Sequence, residues 1–301
     1  MSFVDPNIAR KNAFQNDHLA KTTLPDGSPS FSEVEFNITG LCNRLCFFCP
    51  RVDPEVFPNV NEHLSLDLYN KILGDLKAIN YLGRVSFSGF GEPLLHPQHL
   101  NLIRATREIL PDCWLDIVSN GDRVTAEKMV ELFEAGLTTL LISMYDGPEQ
   151  IEHFEKMIAE AKLPRESVIL RERYLPPEQG YGINVTNRAG MISVNEVGVK
   201  VLTEPMDHPC YYTHYRMMID YTGEVLLCPH DWGKKLIVGD LNKRSVLELW
   251  TGHLLTSVRK RLGAGDRAFP PCEKCDVLGT RQGGEHFNAW QEHYQRENQP
   301  S

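Results

Sequence analysis

The chain has 301 residues, 31 Lys and Arg against 40 Asp and Glu, a formal charge of −9, and 42% apolar residues. No apolar run approaches the ~20 residues of a membrane span, and residues 1–32 carry no secretory h-region. An integral membrane protein is therefore excluded and a cytoplasmic location expected. The acidic balance argues against nucleic-acid binding by bulk charge. The one short basic cluster, Arg259-Lys260-Arg261, reads as a solvated helix face.

Residues 1–32 are polar, contain Pro25, Gly27 and Pro29, and read as an irregular N-terminal arm. Ser32–Thr39 alternates with period two, as a strand does, and Leu64–Ile79 carries apolar residues at helical spacing. Arg84–Ser88 is a predicted strand ending at Gly89, and His99–Ile109 a predicted helix. Trp114–Ser119 is a strand stopped by Asn120-Gly121; Thr125 then caps a helix that ends before Gly136. Leu140–Met144, Val168–Tyr174 and Ile183–Thr186 are further strands, with a helix at Pro148–Ala161. Repeated strand–helix units imply a parallel, right-handed α/β sheet. Six units fit before residue 190, too few for a closed eight-stranded barrel of ~250 residues. A partial, open (βα)6 TIM-like barrel is expected over residues 33–195. After His208-Pro209-Cys210 the pattern changes. Arg216–Tyr221 and Glu224–Leu227 read as a hairpin turned at Thr222-Gly223, followed by a helix from Ser245–Gly252 towards Arg261. Residues 196–301 are the expected second, small α+β domain.

Seven of the eight cysteines fall into two groups, and in a cytosolic chain clustered cysteines signal metal or catalysis rather than disulfides. Cys42, Cys46 and Cys49 follow the first strand, at the barrel end where such folds carry their chemistry. Three thiolates are an incomplete set for a tetrahedral zinc or a [4Fe–4S] cube, each of which takes four ligands. A zinc would need a fourth ligand, and His63 is the candidate. Cys210, Cys228, Cys272 and Cys275 supply four thiolates, which suit a closed zinc site and a fully ligated [4Fe–4S] cluster equally well. Cys113 stands alone.

The run CNRLCFFC resembles the cysteine signature of the radical SAM superfamily. That resemblance implies a [4Fe–4S] cluster on Cys42, Cys46 and Cys49, its fourth iron chelated by S-adenosylmethionine (SAM), with Phe48 near the adenine. Ser88-Gly89-Phe90-Gly91-Glu92-Pro93 resembles the family's Gly-Gly-Glu-Pro loop for the methionyl ammonium; Gly91, Glu92 and Pro93 match it, whereas Phe90 replaces its first glycine. Ser119-Asn120-Gly121 resembles the turn near the ribose, and Ser143-Met144-Tyr145-Asp146-Gly147 the end of the fourth strand, with Tyr145 inserted. The second block, with Gly223, Cys228-Pro229-His230-Asp231-Trp232 and Gly239-Asp240-Leu241, is similar to the shortened SPASM ("twitch") domain. This implies one auxiliary [4Fe–4S] cluster on Cys210, Cys228, Cys272 and Cys275.

The cysteine spacing of the second block resembles that of aminocyclitol dehydrogenases of aminoglycoside biosynthesis. It implies oxidation of a secondary alcohol on a small aminosugar or aminocyclitol, with a flavodoxin or ferredoxin-type electron donor. Arg188, in Asn187-Arg188-Ala189-Gly190, is the candidate catalytic residue, as binder of a substrate oxygen; the alternative is a structural ion pair with an interface carboxylate. Tyr145, Glu172 and His230 are weaker cavity candidates. Three rival readings are a sugar epimerase, a ribosomal-peptide maturase and a non-catalytic zinc or iron–sulfur module. An epimerase needs a hydrogen-atom donor, often a cysteine. Cys113, six residues before Ser119, lies roughly 20 Å from the barrel mouth at ~3.3 Å per residue, and reads as a structural thiol.

Overall fold

The structure is a computed structural model that describes residues 6–175, 185–193 and 199–297. A helix, α1 (Pro6–Lys21), comes first. Strands and helices then alternate: β1 (Glu33–Phe36), α2 (Leu66–Ala78), β2 (Arg84–Phe87), α3 (His99–Ile109), β3 (Trp114–Ser119), α4 (Ala126–Glu134), β4 (Thr139–Met144), α5 (Glu149–Glu160) and β5 (Val168–Glu172). A one-turn helix, α6 (Tyr212–Tyr215), leads into β6 (Arg216–Ile219), β7 (Glu224–Leu226) and β8 (Ile237–Asp240). Three helices close the chain: α7 (Val246–Trp250), α8 (His253–Gly263) and α9 (Gly284–Glu297).

All eight strands form one sheet in the order β5-β4-β3-β2-β1-β6-β7-β8. The first five are parallel, which makes the α/β partial barrel that the repeated units imply. Of the sixth strand expected at Ile183–Thr186, Val185 and Thr186 are irregular, and residues 183–184 lie outside the described residues. The sixth parallel strand is β6, which pairs with β1 from Glu33↔Arg216 to Phe36↔Ile219. An open barrel leaves the β1 edge with unpaired backbone groups, and β6 satisfies them. The hairpin β6–β7 and strand β8 extend the sheet antiparallel.

Period two sorts the strand residues between the two faces. Val34, Phe36, Val85, Phe87, Leu115 and Ile117 join the apolar core. Glu33, Glu35, Arg84, Ser86, Ser88 and Asp116 take the other face, where they form a buried ion network. Arg84 binds Glu33 (2.5 Å) and Asp116 (2.5 and 2.9 Å), and Arg216 binds Glu33 (2.9 Å) and Glu35 (2.7 Å). Burial alone would raise the Glu33 carboxyl, but Arg216 and Arg84 hold it down at about 2. Arg84→Met leaves Asp116 and Glu33 buried and under-compensated, so we expect a loss of about 3–5 kcal/mol in urea unfolding.

Helix α4 carries the predicted cap, and α7 a further one. Thr125 Oγ1 accepts from Lys128 N, and Ser245 forms a reciprocal capping box with Glu248. Two further segments differ from the sequence reading. The 1–32 region contains α1, whose Phe14 and His18 pack on Trp114 and Tyr81; residues 22–32, which follow, are irregular apart from the isolated bridge between Thr23 and Pro29. Arg259 is not on a solvated face. It lies fully buried between the Trp250 and Trp290 rings, at 4.4 and 3.8 Å, and donates to the Thr213 and Trp250 carbonyls. Trp290 belongs to α9, about 30 residues downstream, so local patterning could not reveal the stack. No helix among the described residues is long and apolar enough to cross a membrane.

Candidate active site

The loops after β1 to β4 converge on one barrel end. Asn37, just past β1, accepts through Oδ1 from Phe90 N (3.0 Å) and Gly91 N (2.8 Å), which draws the β2 loop onto the β1 loop. Gly91 is needed there, because a Cβ would run into Thr39 O. The left-handed position in this loop is Gly89 (φ 103), not residue 90, so Phe90 is free to be large. Phe90 packs on Trp232 (4.4 Å) and Phe57 (5.7 Å), and so joins the barrel to the cysteine-rich C-terminal part.

Glu92 is buried and caps the short turn that begins at Pro93. Its carboxylate accepts from Ser119 Oγ (2.9 Å), Asn120 N (2.8 Å) and Leu94 N (3.2 Å). Burial nevertheless pushes its pKa up to about 7. Ser119, Asn120 and Glu92 are thus one hydrogen-bonded unit, and Asn120 Nδ2 reaches Asn43 Oδ1 in the first cysteine loop (2.9 Å). The ring of Phe48 stands 5.4 Å from that of Tyr145, next to the buried Ser143.

Two arginines missed from the sequence hold the first cysteine loop. Arg44 spans Asp122 (2.5 Å) and Asp146 (2.7 Å), the carboxylates after β3 and β4. Arg51 donates to the Phe90 and Gly40 carbonyls and to Asn59. A spacing rule finds cysteines, whereas Arg44 reaches 78 and 102 residues along the chain and Arg51 reaches 39 to Phe90, contacts that leave no local pattern. His63 is not a spare ligand: its two ring nitrogens lie 2.9 Å from Thr39 Oγ1 and 3.0 Å from Asn61 Oδ1.

Cys210, Cys228, Cys272 and Cys275 line one cavity of about 340 Å³, together with Tyr212, His230 and Arg267. A second cavity, of about 770 Å³, opens beside it. Its wall includes Glu35, Ser88, Arg171, Arg188, Tyr212 and His230. Tyr212 and His230 belong to both walls, so the larger space adjoins the four-thiol cavity. Lys11 of α1 also lines the larger cavity, and burial followed by Arg84 pushes its pKa down to about 7.

Arg188 and Ala189 both have positive φ (49° and 54°), a strained conformation at about 1–3 kcal/mol each. Asn187 pins the turn to the last cysteine loop. Its N–H donates to the Asp276 carboxylate (3.0 Å), and its side chain donates to Lys274 O (2.6 Å). That leaves the interface carboxylate satisfied by backbone. Arg188 makes no ion pair among the described residues; its Nε donates to Phe48 O (3.4 Å) and its side chain lines the large cavity. Of the weaker candidates, His230 faces this cavity, while Glu172 accepts from Tyr174 OH (2.8 Å). Cys113 is buried in the core just before β3.

The seven clustered thiols all have raised pKa values. Burial is the largest cause, and neighbouring cysteines add to it at Cys46, Cys49, Cys228, Cys272 and Cys275; Cys46 and Cys275 reach about 11. Bringing them together as thiolates therefore requires cations, and metal binding must release protons. Assembly of iron and sulfide should accordingly rise between about pH 7 and about pH 8.5, read from the visible charge-transfer absorbance. No three His, Cys, Asp or Glu side chains among the described residues converge on a point that suits a single metal ion. Four thiols spread around a cavity suit a cluster better than one zinc.

The radical SAM superfamily model matches residues 36–169, and the iron–sulfur cluster-binding domain model (SPASM) matches residues 210–276. The chain thus contains a radical SAM domain followed by an iron–sulfur cluster-binding domain. The two matched models imply SAM and iron–sulfur clusters as its cofactors. It is 25% identical over 253 residues to the S-adenosyl-L-methionine-dependent 2-deoxy-scyllo-inosamine dehydrogenase of Niallia circulans, covering 83% of this chain and 95% of the relative. Its fold is similar to that of BtrN in complex with AdoMet and 2-DOIA (TM-score 0.68, 23% identity, 85% of this chain and 98% of the other). A more distant likeness is to anSMEcpe with bound AdoMet (TM-score 0.52, 12% identity, 89% and 95%).

Proposed function

We propose that this protein oxidises a secondary alcohol of an aminocyclitol-type small molecule to a ketone. The observation that carries the reading is the large cavity, which shares Tyr212 and His230 with the wall of the four-cysteine site. Loss of a hydrogen atom, a proton and an electron converts an alcohol to a ketone. When bound, the SAM-ligated cluster supplies the 5′-deoxyadenosyl radical that takes the hydrogen atom, and the auxiliary cluster accepts the electron. Cys42, Cys46 and Cys49 hold the first cluster; Cys210, Cys228, Cys272 and Cys275 hold the second.

The protein's own groups do the positioning. Glu92 accepts from the methionyl ammonium, with Gly91 and Pro93 shaping its loop; Ser119 and Asn120 face the ribose; Ser143 supports the Phe48–Tyr145 pair against the adenine. Arg188 holds the substrate oxygen and stabilises negative charge there as its proton leaves. The Nδ1 of His230, buried without a partner among the described residues, is a further hydrogen-bonding group in that wall. Leu45 and Phe47, exposed on either side of Cys46, offer an apolar approach for a flavodoxin or ferredoxin-type donor.

The relative's activity supports the substrate class, and the buried position of Cys113 argues against an epimerase that uses it as hydrogen donor. Anaerobic turnover of an aminocyclitol panel in deuterated water tests the proposal. A ketone formed in proportion to 5′-deoxyadenosine is expected. An inverted carbon carrying one deuterium, or no product from any member, would overturn it.

A further inference from the structure

Arg267 is 2% exposed and stands in the wall of the four-thiol cavity. Every group its guanidinium meets is neutral. Nε donates to His208 O (3.0 Å), Nη1 to Val277 O (2.7 Å) and Met206 Sδ (3.7 Å), and Nη2 to Pro209 O (3.0 Å) and Leu278 O (2.6 Å); Nη2 also lies 3.2 Å from His208 Nδ1. Among the described residues no carboxylate pairs with it. The acidic neighbours of the thiols are engaged elsewhere: Asp231 accepts from Lys235 N and Leu236 N, and Asp276 from Asn187 N.

A buried cation without a counter-charge is costly. The four cysteines supply that counter-charge, because a tetrathiolate [4Fe–4S] cluster is a net anion in both redox states. It becomes one unit more negative when it takes an electron. The guanidinium bonds also tie the chain on both sides of the site, His208-Pro209 before Cys210 and Val277-Leu278 after Cys275, which fixes the charge close to the sulfurs.

We infer that Arg267 is the built-in counter-ion of the auxiliary cluster and a positioning residue that raises its reduction potential. Its attraction is stronger for the reduced form, so it favours uptake of one electron. In turnover, an inference that rests on the dehydrogenase reading, that electron is the one the substrate radical gives up as the ketone forms.

The test is a redox titration of both clusters, followed by electron paramagnetic resonance, in the anaerobically reconstituted full chain and its Arg267→Gln and Arg267→Lys variants. Arg267→Gln should move the auxiliary midpoint to more negative values and leave the first cluster unchanged. Arg267→Lys, which keeps the charge, should stay near the unmodified protein. Retention of the auxiliary cluster by Arg267→Lys but not by Arg267→Gln also supports the counter-ion role. An unchanged midpoint in Arg267→Gln overturns the inference, as does an equal shift, or equal cluster loss, in both variants. The midpoints need no substrate, so they decide this point even if no ketone is formed. Where ketone is formed, its yield per 5′-deoxyadenosine should fall several-fold in Arg267→Gln.

Discussion

Cys46→Ala is expected to reduce SAM cleavage to background, whereas Cys272→Ala keeps SAM cleavage and loses ketone formation. Each variant should lose about half of the bound iron, since each removes a ligand from one of two four-iron clusters. The dissociation of effects follows from geometry. The first cysteine loop is hydrogen-bonded to the Glu92–Ser119–Asn120 unit through Asn43, while the other four thiols share a cavity wall with Tyr212 and His230. Quantifying 5′-deoxyadenosine and ketone in the same reaction checks both halves. Equal loss of both products in Cys272→Ala would mean that the C-terminal cysteines serve only to hold the fold.

The second large effect concerns Glu92 and pH. Its carboxyl is raised to about 7 because burial outweighs three hydrogen bonds to the ionised form. In the cofactor-free protein the folded state therefore holds this proton more tightly than the unfolded state, whose carboxyl titrates near 4.5. The sign follows: Glu92 costs stability progressively as pH rises from about 4.5 to about 7, by roughly 3 kcal/mol in all. In the proposed site the SAM ammonium would require the charged carboxylate and would offset that cost. SAM should accordingly bind more weakly as pH falls below about 7, by up to tenfold per unit. Glu92→Gln removes the charge and should weaken SAM by about 2–5 kcal/mol, roughly 30-fold or more in Kd. Equilibrium binding of SAM across pH, with and without the substitution, checks this. A flat profile in the unmodified protein would show that Glu92 does not meet the ammonium.

Much of this architecture can be read in the sequence, because its parts are local. The strand and helix periods, the Thr125 cap and the first cysteine group each lie within a few residues of chain, and the second group shows as a count of four thiols in one block, from Cys210 to Cys275. The departure at Phe90 also has a local reason, since the loop's positive φ falls on Gly89 and leaves position 90 free to pack on Trp232. What escaped depends on distant partners. Arg44, Arg51 and Arg267 make contacts that sequence spacing cannot display, and Arg259 looks solvated until Trp290 arrives from α9. Helix α1 escaped for another reason: it carries no acidic residue in its first turn and few apolar ones, and Trp114 and Tyr81 supply the surface against which it packs. The pairing of β6 with β1 depends on an edge that exists only once the partial barrel has formed.

The most direct measurement is metal and spectroscopic analysis of the protein isolated without oxygen and reduced. Two clusters on seven thiolates predict about eight irons per chain and no zinc. SAM should then perturb the resonance of one cluster and leave the other unchanged. One zinc bound per chain in place of iron, or no response of either cluster to SAM, would contradict the account.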